Sequence, residues 1–251
     1  MNKFYVIKSL CYRAWLGTHT NKGRIVEILL FPVSQLAIWG LFLYADLVEQ
    51  SVAEQLFLIN LVWAFATAIQ TQANIVMMSD FWSGEFPELF RSGIDEKSYI
   101  VSILLSGLAF GMVTMIASMF LSWWVFDISL EVMLPLIYSL PCYLMFSLAL
   151  AVFAAAIIIR LNHSYGFIAF SILTFIVMLS SPYTPVENLP AALRGIALFS
   201  PIGLVFEFIR NGDTSLLYKS FVISIVIFIL SSIYYFSVFK RLRKKGDFFN
   251  L

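Results

Sequence analysis

Four charged residues, Glu187, Arg194, Glu207 and Arg210, stand in a proline-broken stretch between two long apolar runs. Glu207 and Arg210 are three apart, the spacing at which an acid and a base meet on one helix face. A charge at membrane depth is costly unless it faces water or a partner. The group therefore reads either as a gate crossed by polar parts of a passing molecule or as a pair solvated at the outer headgroups. A second group is made of amides. Gln70 and Asn74 are four apart and face the same way, with Gln72 between them and the weaker Ser34 and Gln35 elsewhere. Buried amides in lipid seek partners across helices or line a wet path.

Hydrolytic and redox chemistry find little to work with. His19 and His163 stand alone, and Cys11 and Cys142 read as separate packing residues, with no metal-spaced His/Cys cluster and no Ser–His–Asp arrangement. Asp and Glu are missing from the middle of the apolar runs, which argues against a proton-driven pump and an intramembrane hydrolase. The twelve glycines form neither G-x-x-x-x-G-K-[ST] nor G-x-G-x-x-G, so nucleotide binding through those loops is excluded. No catalytic residue, metal or cofactor is expected in this chain.

The elements that must hold these residues follow from composition. The chain of 251 residues is 61% hydrophobic and only 12% charged, whereas a soluble domain carries about 25% charged residues. An all-α polytopic membrane protein is expected. Six stretches approach the ~20 apolar residues of a span: 27–44, 55–78, 99–126, 132–159, 164–181 and 216–239. The fifth is the shortest and runs into the proline-broken stretch, an arrangement that points to a transport path. Of the Lys and Arg residues, thirteen fall on one set of ends and only Arg194, Arg210 and Lys219 on the other. That bias predicts both termini in the cytoplasm, and the two dozen residues before the first apolar core, with no small-residue cleavage site after it, predict no cleavable leader. No basic stripe exists apart from the span flanks, which excludes nucleic acid as a partner.

Three segments lie outside the spans. Residues 1–24 mix Lys3, Lys8 and Arg13 with Phe4, Tyr5, Tyr12 and Trp15, as expected of a cytoplasmic interface helix against membrane lipid, or of a basic tail with interfacial rings. The loop 79–98 predicts a short helix starting near Phe86, with Pro87 in its first turn and Gly93 as its stop. Phe86, Leu89 and Phe90 would share one face. That face would dock into a partner's groove or pack on its own bundle. In the stretch 182–213, prolines 182, 185, 190 and 201 predict two half-helices, 189–200 and 202–211. Gly107 and Gly111 allow close helix approach, within the chain or between copies.

The sequence resembles the permease subunits of ABC-2-type ABC exporters, on features that run along nearly the whole chain. They are the basic start, Phe31-Pro32 opening the first span, Gly84-Glu85 with Glu88-Leu89-Phe90 after the second, and Pro185, Leu189-Pro190, Pro201 and Arg210 after the fifth. The resemblance implies a single transmembrane domain over 1–251 in the inner membrane. It has a cytoplasmic interface helix, six spans, a coupling helix and two external half-helices. Glu85, Phe86, Glu88, Leu89, Phe90 and Arg91 would rest on a cytosolic ATPase, present in two copies and carrying the ATP and magnesium. A second copy of the chain would complete the path, lined by Gln35, Trp39, Trp63, Gln70, Asn74, Phe170 and Phe175. Pro185, Leu189, Pro190, Pro201, Glu207 and Arg210 would form the external gate. The aromatic lining suggests an amphipathic or hydrophobic cargo. A lipid-linked polysaccharide, or a scaffold that moves nothing, is the alternative.

Overall fold

The computed structural model describes residues 3–20, 22–43, 49–161 and 167–245, without the side chains at 22, 24, 25, 27–33, 167–170 and 245. Among the described residues ten α-helices follow one another: α1 Lys3–Thr20, α2 Lys22–Leu43, α3 Gln50–Trp82, α4 Glu85–Arg91, α5 Glu96–Phe126, α6 Leu130–Leu161, α7 Phe167–Leu179, α8 Ala191–Phe199, α9 Pro201–Asn211 and α10 Thr214–Lys245. A 3₁₀ turn, Val186–Asn188, precedes α8. No strand occurs among the described residues. That is the expected all-α chain, because lipid leaves the backbone no partner outside its own segment.

Among the described residues, α3, α5, α6 and α10 are long and apolar enough to cross a membrane. The pair α8–α9, bent by 96°, adds a fifth if it is taken as one span. The chain is thus a multi-pass membrane protein, with four to five candidate spans where the sequence predicts six. The described part of α7 has 13 residues, about 20 Å at 1.5 Å per residue, and the described apolar part of α2 is Ser34–Leu43; each adjoins residues outside the described ones, and neither is counted as a span.

α6 is the axis of the bundle, with 72% of its most apolar window buried, while α10 has only 22% buried and forms the periphery. α3 and α5 meet closely because α5 carries glycine at the contact. A Cβ on Gly107 would stand 2.7 Å from both the Ala73 Cβ and the Ile69 carbonyl oxygen. The glycine pair is therefore used for close approach within the chain. Two apolar clusters fill the bundle. One joins Phe57, Phe65, Tyr143, Phe146 and Phe206 around the first half of α3. The other joins Met77, Phe86, Tyr99, Tyr235 and Phe239 around its last turns.

α1 is an ordered helix whose Val6, Leu10, Ala14 and Thr18, spaced by four, are its buried residues. Phe4, Tyr5 and Tyr12 are exposed, and Trp15 stacks on Phe110 of α5 at 5.8 Å. Cys11 and Cys142 are both free thiols, as expected from their separation. Asp95 caps α5 by accepting from the Ser98 amide. The Ser98 hydrogen bonds hold its carboxyl below the usual carboxylate range. His163 lies outside the described residues.

Candidate functional site

α4 forms where the sequence predicts a helix, one residue earlier than Phe86. Gly84 turns the chain with φ +72°, Pro87 falls in the first turn, and Glu85 and Glu88 supply acid there. Its end is a Schellman motif. The Gly93 amide donates to the Phe90 carbonyl (3.2 Å) and the Ile94 amide to the Leu89 carbonyl (3.3 Å). Gly93 sits at φ +87°, a conformation that the missing Cβ makes accessible.

The face that α4 turns outward is not the aromatic one. Phe86 is fully buried, stacked on Phe81 at 4.1 Å and edge-on to Tyr99 at 5.6 Å. Phe90 is half-buried, 5.3 Å from the Tyr99 ring and 5.1 Å from that of Phe239. Leu89 also packs on this cluster. Of the two alternatives for this face, the structure shows packing on its own bundle, where burying these rings removes apolar area from water. The exposed residues of α4 are Glu85, Glu88 and Arg91, the last two joined as an ion pair.

A polar clamp ties this helix to α1. The Arg13 guanidinium donates from Nη1 to Glu85 Oε2 (2.6 Å) and from Nη2 to Asp80 Oδ2 (2.8 Å). The Tyr99 hydroxyl donates to the same Asp80 oxygen at 2.7 Å. Burial alone would lower the Arg13 pKa, but the hydrogen bond and charge of Asp80, with Tyr99 and Glu85, hold it above its ordinary value. A polar cleft of about 310 Å³ opens beside the clamp. Sequence reading missed Arg13 and Asp80, which are 67 positions apart. The available signal was an acid, Asp80, at the end of an otherwise apolar run.

The proline-broken stretch divides nearly as predicted. Pro190 precedes α8, Pro201 opens α9, and Gly212 ends it at φ +70°. Pro185 lies just ahead of the 3₁₀ turn, and Leu189 just after it. Every residue of α9 from Pro201 to Ile209 is buried, while α8 is mostly exposed. Glu207 and Arg210 form a buried ion pair at 2.6 Å. Glu207 also accepts from the Val186 amide (3.2 Å) and the Asn211 side chain (3.1 Å). Arg210 donates to the carbonyls of Ser181 (2.8 Å) and Pro182 (2.6 Å). The reading of a headgroup-solvated pair is corrected. The pair is enclosed, and its bonds fasten the loop 181–186 to α9. Arg194 instead donates to the Glu187 carbonyl at 2.6 Å on the exposed side.

The residues proposed for the path are spread over several surroundings. Trp39 is half-buried and stacks on Tyr183 at 5.6 Å, which joins α2 to the loop before the 3₁₀ turn. Gln35 and Trp63 are half-buried and Phe175 is exposed. The side chain of Phe170 lies outside the described residues. Gln70 and Asn74 are fully buried. Both amide atoms of Asn74, the Asn60 Oδ1 and the Thr67 hydroxyl have no partner among the described residues. Asn60, Thr67 and Asn74 recur every seven residues, so they mark one side of α3.

The described residues contain no group of three or more His, Cys, Asp or Glu able to hold a metal. No curated protein matches the chain. A family model for ABC-2 type transporters matches residues 5–213, a stretch holding the clamp, α4, the polar side of α3 and both half-helices. The chain belongs to the ABC-2 type transporter family and is a permease, the membrane part of an ABC transporter.

Proposed function

We propose that this permease is one of two copies in an exporter whose ATP is hydrolysed on separate cytosolic subunits, two per complex, with α4 as the element that receives their motion. The observation that carries this reading is the two-sidedness of α4. Its apolar side is locked through Phe86 to α3, α5 and α10, and its Glu85 through Arg13 to α1. Its other side offers Glu88 and Arg91 outward. A helix that must pass on a push needs a stiff inner attachment and a specific outer contact, and interface charges supply register more than affinity. The motion would tilt the bundles as rigid bodies, opening a path between two copies related by a two-fold axis.

In this reading the chain carries six spans, with both termini in the cytoplasm and the half-helices at the outer face of the inner membrane. α2 and α7 would each cross with help from adjoining residues. The path would run along α2, α3 and α7, and the buried pair Glu207–Arg210 would shape the gate without touching cargo. The aromatic residues Trp39 and Trp63 favour an amphipathic cargo. A lipid-linked polysaccharide is the second reading, favoured by Asn60, Thr67 and Asn74, whose polar atoms match sugar hydroxyls.

The test is the charge reversal Glu88→Lys in the reconstituted complex, assayed for ATPase activity stimulated by candidate cargoes of both classes. Loss of stimulation with intact membrane insertion is expected. Unchanged stimulated activity and transport would remove α4 from the contact.

A further inference from the structure

An apolar groove of about 880 Å³ opens between α6, α8 and α10 with Ile176 of α7 at its side. Its size lies toward the upper end of the ~300–1,000 Å³ usual for small-molecule sites. Two helical stripes form its walls. Phe146, Leu150 and Phe153 come from α6, and Ile227, Leu230 and Tyr234 from α10, at the spacings of three and four that align side chains on one face. Ile196 and Phe199 of α8 complete it, and the Phe199 ring is 78% exposed. The Ser200 hydroxyl on the wall is engaged by Ser180 at 2.6 Å, so this end offers an incoming polar group little.

The other end is different. The stripe of α6 continues seven residues beyond Phe153 to Arg160, and the stripe of α10 ends at Tyr234. The Tyr234 ring lies 5.8 Å from that of Phe153, and its oxygen accepts from Arg160 Nη1 at 2.9 Å. Among the described residues Arg160 has no carboxylate partner, and the Tyr234 hydroxyl proton has no acceptor. A guanidinium and a phenol side by side can both donate to one phosphate.

We propose that this groove binds an anionic phospholipid, with one acyl chain along α6 and α10 and the phosphate on Arg160 and Tyr234. The charge at a single end of an otherwise apolar trough selects an amphiphile with a negative head over a neutral one. Seating a chain there also covers Ile196 and Phe199, which the bundle leaves exposed. The site requires only that the chain sit in a membrane, so it stands or falls independently of the export mechanism.

Thermal unfolding of the full chain, in detergent supplemented with phosphatidylglycerol or phosphatidylcholine, tests it. Phosphatidylglycerol is expected to raise the midpoint more than phosphatidylcholine. Arg160→Gln, an exposed position, should abolish that surplus and weaken phosphatidylglycerol binding on the order of tenfold, the ratio for one lost hydrogen bond to a charged group. A phosphatidylglycerol with a photoreactive acyl chain should label wild-type α8 or α10, with phosphatidylglycerol displacing the label better than phosphatidylcholine. Equal stabilisation by the two lipids, a surplus surviving in Arg160→Gln, or labelling confined to other helices would overturn the proposal. So would disulfide linkage of two chains through Leu230→Cys, which would make this face a contact between copies.

Discussion

Arg210 and Arg13 act alike at two places in the bundle: Arg210 gathers one carboxylate and two carbonyls and Arg13 two carboxylates, groups that would otherwise be costly to bury. Arg210 is the more enclosed, since both members of its pair keep only 8% side-chain exposure. Removing one partner of a buried pair strands the other charge. Arg210→Ala is therefore expected to cost about 3–5 kcal/mol, seen as a lower unfolding midpoint in detergent. The double variant Glu207→Gln/Arg210→Met should recover much of that loss. If the single and double variants fall equally, the pair is not what holds the loop. Glu207 and Arg210 were legible in sequence as neighbours three apart. Their bonds to Ser181, Pro182 and Val186 were not, because they cross 21 to 29 positions of chain.

At the scale of elements, α4, α8 and α9 fall within one or two residues of where proline and glycine predict them. Those residues constrain φ or remove a donor locally, whatever surrounds them. The side that α4 turns inward is a different matter, since Phe86 meets rings from α3, α5 and α10. Phe86→Ala should cost about 3–5 kcal/mol by leaving a cavity, read as a lower midpoint, whereas a partner-docking ring would leave the isolated permease unaffected. The α3–α5 contact makes an independent prediction. Gly107→Val puts atoms where Ala73 and the Ile69 carbonyl already stand, and overpacking of this kind costs about 1–3 kcal/mol. Gly195→Ala is the control, because nothing lies within 4 Å of its added Cβ. Equal stability of both variants would contradict the close approach.

For the whole molecule, α6 is central while α10 presents Phe221, Val226, Ile229 and Ile233 to its surroundings. Exposed apolar area on that scale belongs against lipid or another chain. The orientation inferred from basic residues is checked with single cysteines placed on a background without Cys11 and Cys142. Asp213→Cys and Lys240→Cys are both exposed positions. A membrane-impermeant thiol reagent added to intact cells is expected to label the first and spare the second. The reverse pattern would invert the topology and place the half-helices inside.

The sequence by itself determined the all-α membrane class, the bounds of the short helices and the family resemblance. Each of these rests on composition or on constraints carried within a few residues. Only the tertiary structure decided that Phe86 faces inward, that Arg13 clamps Asp80 and Glu85, and that the Glu207–Arg210 pair is enclosed. It also showed that Arg160 donates to Tyr234, which lines one end of an apolar groove. The clamp, the inward ring and the groove depend on which distant segments share a wall. Hydrophobic periodicity specifies that a helix has a buried side but not which partner covers it, because apolar burial is non-directional.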